Sequence, residues 1–358
     1  MNKDSLQVKA SQGSYSVFFC SDALLALSDL VSPHDYICLD QTIADLYPRF
    51  AEILPEKTYI VNPDENAKSF EGVIPLINRL ISDGFRRDGR LIAIGGGITQ
   101  DAVSFVASML YRGVEWMFVP TSLLAQCDSC IGSKTSINFR KYKNQLGGFY
   151  PPTSVFIDTS LTKTLGPSEV ASGLGEMLHY FLVTSEADFS LFLEAAPTAR
   201  RSGDGLERLV RRSLEIKRQM VELDEFDRGP RNVFNYGHSF GHALESSCNY
   251  LIPHGIAVGY GIDLANLVSV HLGLLDAETR NQIRIACQNV FEDFPCPAID
   301  IGAYYEALKL DKKNSGKQLG LILLSRIGVA TKIMVDLTDE IKALIRSFFD
   351  SQLYLYDI

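Results

Sequence analysis

The segment from Arg231 to Gly255 (RNVFNYGHSFGHALESSCNYLIPHG) holds three of the chain's six histidines. His238 and His242 are four apart, so on a helix they share one face. His254 stands between a proline and a glycine, where the chain can turn back toward that face. Neutral imidazole is a common zinc ligand, and a catalytic zinc takes three protein ligands and keeps one position open. The alternative is polar side chains on a helix and a loop, hydrogen-bonded and no more. Three imidazoles in this arrangement, with glycines beside them, favour a metal or catalytic site.

A chain of 358 residues has room for two domains with ample core. Its 46% hydrophobic and 22% charged content is that of a soluble globular protein. The net charge of −9 argues against nucleic acid or an anionic membrane as the main partner, while leaving room for a local basic pocket. The seven cysteines are odd in number and scattered, which points to a reduced, cytoplasmic setting. Cys127 and Cys130 form a C-x-x-C, but nothing nearby reads as a thioredoxin unit. The first ten residues have no apolar core and do not read as a signal peptide. The apolar stretch 256–275 is interrupted by Asp263, Asn266 and His271, so a buried helix is expected there rather than a membrane span.

Residues 6–21 alternate around a glycine and predict a hairpin. Short apolar runs at 36–39, 58–61, 91–94 and 116–119 alternate with helical patterns. The fold class expected is α/β: a Rossmann-like parallel sheet with a nucleotide-type crevice at its strand ends, followed by a mostly helical part. Two strands around a turn are expected at 319–325 and 330–335, and a final helix from Thr338. The glycines at 95–97 follow a strand and open a helix. They suit the close approach of a pyrophosphate, or simply a tight turn, and they are not G-x-G-x-x-G. Asp40 at a strand end is placed either to accept from a ribose or to cap the next helix. The stretch from Pro120 to Pro152 carries Asp128, Lys134, Arg140, Lys141, Lys143 and Asn144 among glycines and serines. It reads as a solvated loop or as a phosphate cradle.

At this point the residues carry a resemblance. RGV at 112–114, PTSLLAQ at 120–126, Asp128, GSKTSIN at 132–138 and KNQLGGFY at 143–150 resemble the signature of 3-dehydroquinate synthase and its sugar phosphate cyclase relatives. So do TLGPSEVASGLGE at 164–176, Lys217, the run 224–245, PHG at 253–255 and DKKNSGK at 311–317. The resemblance covers nearly the whole chain, in order.

It implies an NAD-binding α/β domain over 1–160 and a helical metal- and substrate-binding domain over 161–358. It implies a divalent metal, usually zinc with cobalt as an alternative, held by Glu176, His238 and His254. His242 then falls near the phosphate, which revises the reading from the i, i+4 pair. NAD contacts are implied at Asp40, Glu65, Lys68, Gly96, Gly97, Asp101, Thr121, Ser122, Lys143 and Thr164. Substrate contacts are implied at Asp128, Lys134, Asn144, Lys217, Arg231, Asn235, His242 and one of Lys312 and Lys313. Arg112 matches an arginine that reaches into a neighbouring subunit's site, so a homodimer is implied.

In that family NAD oxidises a ring hydroxyl, phosphate leaves by elimination, the hydride returns, and an aldol step closes a carbocycle. Lys217, Arg231 and Asn235 match the groups that hold a substrate carboxylate, so the pocket favours 3-deoxy-arabino-heptulosonate 7-phosphate. Relatives that cyclise sedoheptulose 7-phosphate or glucose 6-phosphate have no carboxylate to bind. Three positions depart from the pattern. His179 stands where a lysine is usual, three residues after Glu176 and near its face, so it is expected to face the substrate site. Gln100 stands where a glycine is usual and is placed to crowd a pyrophosphate. Ser133 replaces a second glycine. A specialised cyclase is therefore the alternative. Behind it stand a metal-dependent polyol dehydrogenase, which needs no phosphate pocket, and a catalytically dead binding protein on the same scaffold.

Overall fold

The computed structural model describes residues 5–140, 142–311, 314 and 318–353. They form two compact units: residues 1–165 with 217–225, and residues 166–216 with 226–358.

The first unit is built on a seven-stranded sheet. Its strands are β1 (Ser5–Ala10), β2 (Gly13–Phe19), β3 (Tyr36–Asp40), β4 (Thr58–Val61), β5 (Leu91–Gly95), β6 (Trp116–Pro120) and, after a separate hairpin of β7 (Lys134–Phe139) and β8 (Tyr142–Phe149), β9 (Ser154–Ile157). The order across the sheet is β1-β2-β9-β6-β5-β3-β4. Only the β1–β2 pair is antiparallel. The expected hairpin and the four apolar runs are all found in it. Every residue of β3, β5 and β6 is buried, which is why these strands read as unbroken apolar runs rather than alternating ones. One face of the sheet (Ile37, Leu39, Ile92, Ile94, Met117, Val119) packs on Ala23 and Leu27 of α1 (Ala23–Ser28), on Ile43 of α2 (Gln41–Leu46) and on Phe50 of α3 (Arg49–Glu52). Next in the chain come α4 (Phe70–Ser82), capped by Ser69, and α5 (Gly97–Met109). Strand order reverses between β3 and β5, so their carboxyl ends flank the sheet's topological switch point. At the opposite ends Asp35 braces the same two strands. Its carboxylate accepts from the Ser32 and Arg90 backbone N–H groups (2.9 Å each) and from the Arg90 guanidinium (2.6 Å).

The polar stretch after β6 is not a loop. A π-helical turn at Ala125–Ser129 leads into the β7–β8 hairpin, where Gly147 lets the strands close. A Cβ there would lie 1.8 Å from the Thr135 carbonyl oxygen.

The second unit is helical: α6 (Pro167–Thr184), α7 (Glu186–Ser202), most of α8 (Leu206–Leu223), α9 (His238–Ser247), α10 (His254–His271), α11 (Ala277–Phe291), α12 (Ile301–Lys309) and α13 (Asp339–Leu353), with a hairpin of β10 (Gln318–Arg326) and β11 (Val329–Asp336). α10 is its core, buried from Gly255 through Asn266. The polar residues that interrupt its apolar run are paired. Asp263 meets Arg280 (3.1 Å) and Arg284 (3.5 Å), and Asn266 accepts from the Tyr236 hydroxyl (2.6 Å). Among the described residues no helix is long and apolar enough to cross a membrane. The last residues of α8, Lys217 onward, cluster with the first unit.

Candidate metal and cofactor sites

Three helices bring the histidine segment and Glu176 together. Glu176 sits inside α6, directly after Gly175. His238 and His254 are the first residues of α9 and α10. The chain enters α9 through Gly237 at φ +79°, a left-handed conformation that favours glycine. The helices approach closely because glycines line the contacts. A Cβ on Gly175 would lie 2.0 Å from the Gly255 carbonyl oxygen, and one on Gly261 would lie 2.0 Å from that of Gly237.

His254 Nε2 lies 3.3 Å from one oxygen of Glu176, and His238 Nε2 lies 3.6 Å from the other. These gaps are long for hydrogen bonds. Each is a pairwise spacing that bonds of about 2.0–2.2 Å to a shared ion allow, with each imidazole facing a different oxygen of the carboxylate. Both imidazoles are oriented for that use. His254 Nδ1 faces Glu245 Oε2 at 3.1 Å, and His238 Nδ1 faces the Tyr236 carbonyl at 3.2 Å. Each acceptor takes the Nδ1 proton and leaves the Nε2 lone pair directed at Glu176. The residues therefore fit a divalent cation.

The electrostatics agree. Burial opposes the charge of Glu176, but His238 and His179 beside it, with the His254 imidazole facing its other oxygen, hold its carboxyl well below the usual range. Burial likewise opposes a charged His254, yet the carboxylates of Glu176 and Glu245 facing its two nitrogens raise its pKa well above the usual value. The pocket is thus built to stabilise positive charge.

His242, exposed on α9, has its ring 5.4 Å from that of His238 and 5.6 Å from that of His254. Among the described residues, two trios place one ligand atom each within 4.8 Å of one another: His238, His242 and His254, and Glu176, His179 and His238. Neither trio is the one implied by the resemblance. We favour Glu176, His238 and His254 because there both imidazoles have an acceptor on Nδ1. Arg231 and Asn235 share the turn Pro230–Asn235 before α9; Arg231 is buried, and Asn235 donates to the Asn232 carbonyl (3.1 Å). Lys312 and Lys313 lie outside the described residues.

In the first unit, Asp40, Gly96, Gly97, Thr121 and Ser122 gather at the carboxyl ends of β3, β5 and β6. Asp40 Oδ1 caps α2 through the Thr42 N–H (2.8 Å) and Oδ2 accepts from Thr99 (3.2 Å). α5 opens at Gly96 with no side chain capping its N–H groups, and a Cβ on Gly97 would meet nothing within 4 Å. Open space before uncapped helical N–H groups fits a dinucleotide pyrophosphate. Gln100 does not crowd it. Its amide donates to the Ser129 carbonyl (2.6 Å) and accepts from the Ser129 hydroxyl (2.5 Å).

Beside α5, Lys68 pairs with Asp101 (2.6 Å), while Glu65 accepts from Asn138 (2.8 Å) and lies 3.6 Å from Lys143. Thr164 closes the short 3-10 turn Thr159–Thr164 and accepts from Tyr47 at 3.5 Å. Lys217 Nζ is buried against Asp128, 2.6 Å from its carboxylate and 2.7 Å from its carbonyl oxygen. Lys134 and Asn144 are exposed on the β7–β8 hairpin. Arg112 is exposed after Tyr111, and both have positive φ. Ser133 donates to Glu225 at 2.6 Å, a bond glycine could not make. Cys127 and Cys130 are buried thiols not joined in a disulfide, and burial pushes the Cys130 thiol up, away from redox use.

Glu245 escaped the sequence reading. The signal was present: it lies seven residues after His238, two turns along the same helical face.

The family described as 3-dehydroquinate synthase N-terminal matches residues 58–172, and its C-terminal counterpart matches residues 173–314. A 3-dehydroquinate synthase from Streptococcus pyogenes serotype M5 is 32% identical, over 91% of this chain and 94% of its own. Among solved structures, 2-deoxy-scyllo-inosose synthase complexed with carbaglucose-6-phosphate, NAD+ and Co2+ superposes with a TM-score of 0.86 at 24% identity, covering 97% of this chain and 99% of its own. The 2-epi-5-epi-valiolone synthase of Streptomyces hygroscopicus, with NAD+ and Zn2+ bound, gives 0.84 at 25% identity, covering 96% and 99%. With both family halves matched in order and a relative this similar along nearly its full length, the chain belongs to the 3-dehydroquinate synthase family.

Proposed function

We propose that this chain is an NAD- and divalent-metal-dependent carbon–oxygen lyase that converts 3-deoxy-arabino-heptulosonate 7-phosphate to 3-dehydroquinate and phosphate. The observation that carries the reading is the facing set of Glu176, His238 and His254 in a chain of this family. When bound, the cation supplies a Lewis acid for a substrate hydroxyl and NAD supplies reversible hydride exchange. The chain's own residues bind and orient. Glu245 and the Tyr236 carbonyl fix the tautomers of His254 and His238. The Arg231 guanidinium is the planar, permanently charged group that suits a carboxylate. Asp128 keeps Lys217 in place until an anionic substrate competes for its ammonium. Lys134 and Asn144, exposed on the β7–β8 hairpin, and His242, exposed on α9, are each of a type that binds phosphate. The ion is zinc, and the working form is a cytoplasmic homodimer, with Arg112 on its exposed left-handed turn reaching the partner's site.

A second reading, a specialised cyclase acting on a non-carboxylated sugar phosphate, is favoured by His179 beside Glu176 (3.8 Å). One experiment separates them: phosphate release from protein loaded with metal and NAD, on 3-deoxy-arabino-heptulosonate 7-phosphate and on sedoheptulose 7-phosphate, with products identified by mass. Turnover of the first to dehydroquinate is expected. Turnover of the second alone would replace the first reading with the second, and accumulation of free NADH would favour a dehydrogenase.

A further inference from the structure

A further imidazole, that of His179, lies beside two of the side chains of the cation site described above, Glu176 and His238. Glu176 and His179 are three residues apart on α6, a spacing at which helical carboxylate and imidazole ligands project together onto a metal. His179 Nδ1 lies 3.8 Å from the Glu176 oxygen that His238 Nε2 faces at 3.6 Å. The rings of His179 and His238 stand 5.0 Å apart and nearly perpendicular, at 89°. Glu176, His179 and His238 are each less than one-tenth exposed, and one ligand atom from each falls within 4.8 Å of the others. The ring of Tyr180 lies 3.9 Å from that of His179 and the ring of Phe234 lies 5.9 Å from it, so aromatic packing holds the imidazole in place.

A buried histidine is most often a core residue satisfied by hydrogen bonds. Here the separation from Glu176 also suits two neighbouring donors on one ion, which bonds of about 2.1 Å place roughly 3–4 Å apart.

We propose that His179 is a further metal donor, so that the loaded site holds four protein groups: Glu176, His179, His238 and His254. This rests on the reading of Glu176, His238 and His254 as ligands. A fifth position stays available, since zinc accepts five-coordination when substrate arrives. Three nitrogens and one oxygen favour zinc or cobalt over magnesium or manganese.

The test is a crystal structure of the zinc-loaded protein with the ion placed by anomalous scattering. A His179 ring nitrogen within about 2.2 Å of zinc is expected. With His238 and His254 bound but His179 beyond about 3 Å, this inference is overturned and the three-ligand reading stands. Zinc bound elsewhere would overturn both. In solution, His179→Gln should weaken zinc binding in a chelator competition by about 10–100-fold and alter the visible bands of the cobalt-loaded protein. Unchanged affinity and bands would reject the proposal, and if that variant does not fold, the crystal measurement on the unmodified chain decides.

Discussion

Gly175 and Gly255 touch backbone to backbone. A methyl group on Gly255 would lie 1.7 Å from the Ser172 carbonyl oxygen, and one on Gly175 would lie 2.0 Å from that of Gly255. Each glycine neighbours a proposed ligand, Glu176 in one case and His254 in the other. The contact that brings α6 and α10 together is therefore the contact that sets the Glu176–His254 distance. Gly255→Ala should destabilise the fold by about 3 kcal/mol, the upper end for overpacking, and weaken zinc binding in the fraction that folds. Urea unfolding and chelator competition would check this; wild-type values in both would show that the helices do not need that approach.

Glu245 faces Nδ1 of the proposed ligand His254. Glu245→Gln keeps an acceptor for the Nδ1 proton but removes the charge, so zinc affinity should fall about 10-fold, toward the lower end for outer-shell changes. Glu245→Leu should cost more than Glu245→Gln. Equal losses would mean that the acceptor is irrelevant.

Metal affinity should rise with pH. Glu176 and Glu245 raise the pKa of His254 well above its usual value, so in the metal-free protein a proton competes for the ligand nitrogen. Competition is strongest below that raised pKa and fades as pH climbs through it. Zinc titrations monitored by proton release should show uptake of metal expelling protons near neutrality. A pH-independent affinity would remove His254 from the ligand set.

Asp35 is a stability element far from any chemistry. Burial pushes its carboxyl up, but Arg90 and the backbone donors outweigh this and hold it below the usual carboxylate range. Its contribution is present above the unfolded pKa, near 3.9, and is lost as pH falls through the lower folded value. Asp35→Asn should cost about 3 kcal/mol at neutral pH, with much less difference from wild type in strong acid. A uniform loss at all pH values would point to packing rather than charge.

Gln100→Gly separates crowding from bracing. Its side chain is tied to Ser129, so NAD affinity should stay within about a factor of two. Stability should drop by about 2 kcal/mol, from the lost bonds and a helical glycine. A marked gain in NAD affinity would show that the side chain does obstruct the cofactor.

Much of this was legible in the chain. The runs that became β3, β5 and β6 are unbroken because both sheet faces are covered, and Asp263 and Asn266 marked α10 as a buried core helix. Glu176, His238 and His254 came from the family pattern, whereas the histidine spacing alone pointed to His238, His242 and His254. What stayed hidden depends on packing partners. Periodicity tells which face of a helix is buried but not what meets it, so Gly175 against Gly255 was invisible. Backbone acceptors such as the Tyr236 carbonyl carry no side-chain signal. The stretch after β6 read as a loop because its serines and glycines suit turns, whereas those residues pair across the β7–β8 hairpin.

The membership of residues 217–225 in the first unit has a practical consequence. Glu222 accepts from the Lys9 N–H, Glu225 from the Ser11 N–H and the Ser133 hydroxyl, and Lys217 fills the space against Asp128. A fragment ending at Leu165 would expose all four partners and leave Asp128 half buried without its counter-charge. The NAD-type unit is therefore not a cassette that can be cut out, grafted or expressed alone by choosing a single boundary. Its minimal form needs a second, non-contiguous piece of chain supplied in trans or by a linker.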